Sequence, residues 1–81
     1  MSVARVYVTL KKSVFDPQGK TISDALHSIG FHSSADVRQG KFFEVAFPGV
    51  PPEEARSQAE EMARRVLANP VIETYRVEVE P

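Results

Sequence analysis

The sequence predicts an α+β fold, a two-layer sandwich in which two helices lie on one face of a mainly antiparallel sheet. Three observations carry that prediction. Val3 to Leu10 alternates apolar and polar residues with the period of a half-buried strand. Two later stretches repeat apolar residues at helical spacing, and Phe42 to Phe47 and Val71 to Glu80 return to strand character. The resulting order, β-α-β(β)-α-β over one domain of residues 1–81, fits a ferredoxin-like arrangement.

In the first strand Ala4, Val6, Val8 and Leu10 point one way, and Arg5, Tyr7 and Thr9 the other. Asp16-Pro17-Gln18-Gly19-Lys20 then turns the chain into a helix. Asp16 suits the N-cap, and Pro17 the first helical position, where its missing N–H needs no partner. A start one turn later is also open, because Thr21 and Asp24 stand at capping-box spacing. Ile22, Ala25, Leu26 and Ile29 recur at i, i+3, i+4 and i+7 and form one apolar stripe. Gly30 supplies a left-handed residue beyond the helix, with Phe31 placed to fold back on Leu26 in a Schellman ending.

Gln39-Gly40-Lys41 is a turn signal. Val37 and the run from Phe42 to Phe47 make either a hairpin around Gly40, the favoured reading, or one strand with a bulge there. Along the run Phe43, Val45 and Phe47 share one face, and Phe42, Glu44 and Ala46 the other. Pro51 or Pro52 opens the second helix, with Glu53 and Glu54 at the positive end of its dipole. Ala55, Ala59, Met62, Ala63, Val66 and Leu67 form its apolar stripe, and Glu60 with Arg64 and Glu61 with Arg65 stand at i, i+4. Asn69-Pro70 ends it, and Val71, Tyr75, Val77 and Val79 share one face of the last strand.

A domain of 81 residues buries a modest fraction of its surface, so association with other chains is expected. The sheet face away from the helices would carry Tyr7, Phe42, Ala46 and Ile72, and a twofold homodimer through that face is the economical way to cover them. Composition is ordinary globular, with 42% apolar and 26% charged residues. No apolar run reaches bilayer length and the N-terminus has no secretory stretch, so the expectation is a cytoplasmic chain without membrane contact. The absence of cysteine excludes a disulfide framework, a thiolate metal site and a cysteine nucleophile. A net charge of −1 argues against nucleic acid as a partner. Charge is unevenly placed, however: residues 1–41 hold six basic against three acidic residues, and residues 42–81 four against eight.

The residues that could carry chemistry do not assemble into a motif. His27 and His32 are five apart with Gly30 between them, so they share no helix face for a metal. The serines lack a nucleophile elbow. Gln18-Gly19-Lys20 and Gln39-Gly40-Lys41 look like phosphate-binding fragments but fall far short of a Walker A loop or a dinucleotide fingerprint. The Glu53/Glu54 and Glu60/Glu61 pairs read as a solvated helix face, and Tyr7, Phe42 and Phe43 lack the basic-aromatic signature of an RNA-stacking sheet. From the residues alone, this is a small, dimer-prone interaction domain with no catalytic, cofactor or metal site of its own.

Five blocks then match a known family in order and spacing. They are Arg5-Val6-Tyr7-Val8-Thr9-Leu10-Lys11, Ser13-Val14 with Asp16 to Lys20, Ala25-Leu26 with Gly30-Phe31, Asp36-Val37-Arg38-Gln39-Gly40-Lys41, and Leu67 to Glu73. Together they closely resemble the PurS family, the small subunit of phosphoribosylformylglycinamidine synthase, from about Val3 to Glu80. The resemblance implies a subunit of the ATP-dependent ligase at the fourth step of purine synthesis. In that family a PurQ subunit hydrolyses glutamine and a PurL subunit makes the amidine with ATP and magnesium, while PurS is similar to a non-catalytic adaptor between them. It implies no cofactor on this chain, PurL and PurQ as partners, and help with ammonia transfer as a further expectation. Basic residues near strand ends within the matching blocks, Lys11, Lys20, Arg38 and Lys41, are the candidate partner contacts. The competing classes are a small-ligand regulatory domain of the same topology and a stand-alone hydrolase.

Overall fold

Alternation in the first strand fixes the centre of the molecule. In the computed structural model, which describes residues 1–81, β1 (Ser2–Leu10) is the middle strand of a three-stranded sheet and pairs antiparallel on both sides. Its neighbours are β2 (Gly40–Phe47) and β3 (Glu73–Glu80), with Val6 opposite Phe43 and Val77. Helices α1 (Pro17–Ser28) and α2 (Pro52–Met62) follow β1 and β2, and a π-helical turn, Ala63–Leu67, continues α2. The α+β class and the antiparallel sheet with two helices stand as read from the sequence.

The core lies between α2 and the expected face of β1. Ala4, Val6 and Val8 are fully buried against a stripe of equally buried alanines, Ala55, Ala59 and Ala63. Val6 and Val8 are the largest fully buried side chains, each contributing about 1.5–3 kcal/mol. The alanines let the helix lie close to the sheet, and the Arg56 guanidinium reaches across to donate to the Val77 carbonyl oxygen at 3.0 Å.

The π-helical turn alters what periodicity predicted for the end of this helix. The Ala68 N–H bonds the Ala63 carbonyl at 2.9 Å, an i to i+5 step, so the buried series runs Ala55, Ala59, Ala63, Ala68. The extra residue rotates the following side chains out of phase. Val66, expected on the apolar stripe, is 79% exposed, and Arg64 pairs with Glu61 rather than Glu60. Arg65 also reaches Glu61, at 3.6 Å. Beyond it Val71 is turned to solvent rather than set on the core face of β3, because Asn69 organises a turn. The Val71 N–H donates to the Asn69 side-chain oxygen at 3.1 Å, and the N–H groups of Ile72 and Glu73 donate to its carbonyl.

No hairpin forms around Gly40. β2 begins at Gly40, and residues 36–39 are drawn instead to the start of α1. The Gln39 N–H donates to one Asp16 carboxylate oxygen at 2.8 Å, and the Gly19 N–H to the other at 2.9 Å. Asp16 is therefore the N-cap, with Pro17 following, and the earlier of the two possible helix starts is the one used. Gly19 is required there: a Cβ would stand 2.1 Å from the Val37 carbonyl oxygen. Gly30, at φ +105°, ends α1 with both Schellman bonds, Phe31 N–H to Leu26 and Gly30 N–H to His27.

Both helices were expected on one face of the sheet, and α2 alone takes that place. It packs on β1 and β3, whereas α1 contributes no residue to the core and packs comparably on no strand. Nine residues of β1 span about 30 Å and twelve of α1 about 18 Å; end to end they account for the 48 Å long axis. The physical reason is the Asp16 clamp together with Arg38, whose Nη2 donates to the Lys11 and Val14 carbonyls at 2.9 Å each. These bonds pin the segments on both sides of α1 at the end of the sheet.

The Asp16 pKa lies below the ordinary aspartate value, because the Gln39 and Gly19 N–H groups and the Arg38 charge favour the carboxylate while burial opposes it. A depressed carboxylate stabilises the fold fully above the unfolded pKa of about 3.9, and that contribution is lost as pH falls through the lower folded value. Asp16→Ala is expected to lower Tm by roughly 5–10 °C near neutral pH. Asp16→Asn should flatten the acid limb of the Tm–pH profile followed by circular dichroism. Ala59→Leu, which overpacks the helix–sheet contact, should cost about 1–3 kcal/mol in urea unfolding.

Candidate functional site

The sheet face opposite α2 has no helix over it. Register sets Tyr7 of β1 beside Phe42 of β2 and Arg76 of β3. The Tyr7 and Phe42 rings lie 5.1 Å apart, and the Arg76 guanidinium sits 4.2 Å over the Tyr7 ring. One step along β1, Arg5 pairs with Glu44 at 3.3 Å and Glu80 at 2.7 Å, while Arg76 pairs with Glu78. The Glu78 carboxylate, followed by desolvation, pushes the Tyr7 phenol up. Ala46, opposite Val3, extends the face along β2. Ile72 lies outside β3, in the Asn69 turn, where its carbonyl accepts the Lys11 N–H at 2.8 Å. The face is thus an aromatic centre between bands of internally paired charges, a surface suited to another surface rather than to a small molecule.

The four basic residues gather at one end of the molecule, the C-terminal end of β1, and three are engaged there. Lys20 pairs with Asp24 at 2.8 Å, Arg38 holds the β1–α1 connection, and the Lys41 ammonium donates to the Leu67 carbonyl at 3.2 Å and Glu73 at 3.3 Å. Glu73 also accepts the Asn69 N–H at 2.7 Å. Lys41 therefore ties the start of β2 to the end of the α2 extension and the start of β3. The ammonium groups of Lys11 and its neighbour Lys12 make no hydrogen bond or ion pair and stand exposed.

The same end brings the two Gln-Gly-Lys fragments together, and their backbone N–H groups already have an anion. Gly19 and Gln39 both donate to Asp16, so the helix N-terminus that would attract phosphate holds a carboxylate of the chain itself. A polar cavity of about 330 Å³ beside it is lined by Lys20, Asp24, His27, Asp36 and Arg38 among others. His27 Nε2 donates to the Ser34 carbonyl at 2.8 Å, its ring 6.3 Å from that of His32. No group of three or more histidine, aspartate or glutamate side chains is placed to hold a metal ion, and no helix is long and apolar enough to cross a membrane. Strand alternation alone yields Tyr7 beside Phe42. The bond from Gln39 to Asp16 and those of Arg38 with Val14 and of Lys41 with Glu73 join residues 23 to 32 apart in sequence, which no local pattern signals.

Comparison with known proteins follows the same outline. The family model for PurS, phosphoribosylformylglycinamidine (FGAM) synthase, matches residues 3–81. The PurS subunit of that synthase from Bacillus subtilis is 44% identical over 80 residues, covering 99% of this chain and 94% of the relative. The crystal structure of PurS from Methanocaldococcus jannaschii superimposes with a TM-score of 0.88 at 38% identity, over 99% of this chain and 96% of that one. A chain of the PurLQS structure from Thermotoga maritima gives a TM-score of 0.85 at 25% identity, over 99% of both chains. With its matching blocks in order, its open three-stranded sheet and relatives that match along nearly its whole length, the chain belongs to the PurS family of phosphoribosylformylglycinamidine synthase.

Proposed function

We propose that this chain is the non-catalytic adaptor of a phosphoribosylformylglycinamidine synthase in de novo purine synthesis, joining a glutaminase subunit, PurQ, to a synthetase subunit, PurL. The observation that carries the reading is the likeness, over 99% of both chains, to a chain of the PurLQS structure. Its own architecture supports it. The conspicuous polar groups are consumed in holding the fold, whereas a whole sheet face and one basic end are presented outward. ATP, magnesium and glutamine are then handled by the partner subunits in the cytoplasm, and this chain binds none of them.

Division of labour explains why such a chain is needed. Ammonia released at one subunit and consumed at another is useful only if the two sites are held in fixed relation, so that it passes without escaping to water. A rigid adaptor supplies that relation through surfaces. The aromatic centre of the open face, Tyr7 with Phe42 and Ala46, pairs two copies about a twofold axis. The basic end takes the partner subunits: Lys11 and Lys12 make the encounter, while Lys20, Arg38 and Lys41 keep that end in shape.

Mixing the purified chain with PurL and PurQ and assaying glutamine-dependent amidine formation tests the reading; activity undiminished without this chain would overturn it. Lys11→Ala with Lys12→Ala should weaken assembly, more so at low salt than at high salt, while leaving Tm and oligomeric mass unchanged. Arg38→Ala, by contrast, should lower Tm, since two carbonyls lose their donor. Phe42→Asp should halve the oligomeric mass measured by light scattering.

A further inference from the structure

We infer that the π-helical turn and the Asn69 turn behind it form a docking knob for a partner subunit of the synthase, one that offers an apolar hollow rimmed by carboxylates. The inference rests on the adaptor reading and gives it a contact surface. The knob is made by Val66 and Val71, which are 79% and 76% exposed; apart from Met1, no other large apolar side chain stands so far out. Two unrelated local devices put them there. Helical periodicity would set Val66, three residues after the buried Ala63, on the stripe that faces the sheet, and the π-helical step from the Ala68 N–H to the Ala63 carbonyl turns it outward. Val71 is directed outward by the Asn69 side-chain oxygen, which accepts its N–H at 3.1 Å.

The fold itself gains nothing from either device, since neither valine packs on the core. π-Helical turns within helices occur frequently at functional sites. The contacts around this one hold it rigid. Lys41 Nζ donates to the Leu67 carbonyl at 3.2 Å and to Glu73, which in turn accepts the Asn69 N–H at 2.7 Å. On the other side the Ile72 carbonyl takes the Lys11 N–H at 2.8 Å. Valine is stiff at χ1, so little freedom is lost when a partner covers these two side chains.

Charge identifies the occupant. Arg64 and Arg65 share the one carboxylate of Glu61, and Lys41 is matched by Glu73. The bond from Lys11 to Ile72 brings Lys11 and Lys12 beside the Asn69 turn, and neither ammonium has an ion-pair partner. The surroundings of the knob are therefore positive on a chain whose net charge is −1. A second copy docking here about a twofold axis would set this positive patch against itself. A surface with carboxylates around an apolar hollow complements it, steered in by the lysines and then held by the valines.

The chain contains no cysteine, so a single introduced thiol can report on the knob. Val66→Cys and Val71→Cys are alkylated alone and after addition of purified PurL or PurQ, and the extent is read from the mass of this chain. Alkylation at both positions should slow about tenfold or more with one of the two subunits. Val71→Cys lies outside any helix, so it reports even where substitution at 66 disturbs the π-helical turn. Val66→Ala and Val71→Ala should each raise the Kd for that subunit about tenfold, and together roughly 100-fold, through lost apolar burial. That loss should be equal at low and high salt, unlike the salt-sensitive effect of the lysine variants. Unchanged affinity of the double valine variant for both subunits overturns the inference, as does undiminished alkylation of both thiols in the complex. Thiols protected by raising the concentration of this chain alone would make the knob a contact between copies, and would overturn it too. A wild-type chain that binds neither PurL nor PurQ brings down the adaptor reading itself, whereas wild-type binding that is indifferent to Val66 and Val71 leaves that reading standing and removes only the knob.

Discussion

The interaction on which the rest depends is the Asp16 carboxylate shared between two backbone N–H groups, one opening α1 and one just before β2. A single side chain thereby closes the helix N-terminus and joins segments 23 residues apart. The cost of burying the charge is met by two direct donors and the nearby Arg38 guanidinium. With Arg38 bound to the Lys11 and Val14 carbonyls, the arrangement converts what the order of elements suggests, a helix lying on the sheet, into a helix standing beyond it.

That geometry leaves a small core. Where two helices would have supplied larger apolar side chains, Val6 and Val8 of the sheet are covered by alanines of α2 and its extension. Eight apolar residues form the buried cluster, and a domain of this size with so thin an interior is marginal by itself. The surfaces left over are ordered ones. The open face has its charges paired within the chain, and α1 is anchored at its N-terminus, so the chain presents ordered apolar surfaces at little entropic cost on association. These are the properties that the proposed adaptor role requires.

Much of this is visible in the sequence where local physics decides. Gly30 specified the end of α1, Asp16-Pro17 was one of two starts the sequence left open, and alternation in β1 assigned Ala4, Val6 and Val8 to the core and Tyr7 to the open face. The failures have equally definite causes. Val66 was carried outward by an extra residue in the helical turn, and Val71 was claimed by the Asn69 turn before the strand began. Val37 gave no hairpin because Asp16 bound its neighbour Gln39. At the basic end, residue type revealed the location of Lys11, Lys20, Arg38 and Lys41 but not that Arg38 and Lys41 spend their donors on carbonyls of their own chain. The family resemblance lies in five blocks in order and does not depend on those local contacts.

The central claim is that the Asp16–Arg38 clamp, and not contact with another chain, holds α1 away from the sheet. Small-angle X-ray scattering on the monomer fraction of the Phe42→Asp variant, separated by in-line size exclusion, tests this most directly, because no partner chain is then present and the apolar stripe of α1 is intact. An extended monomer with a radius of gyration near the 15.9 Å of the structure is the predicted result. A value near the ~12 Å of a compact 81-residue domain would mean that α1 had folded back on its own sheet, and would contradict the account.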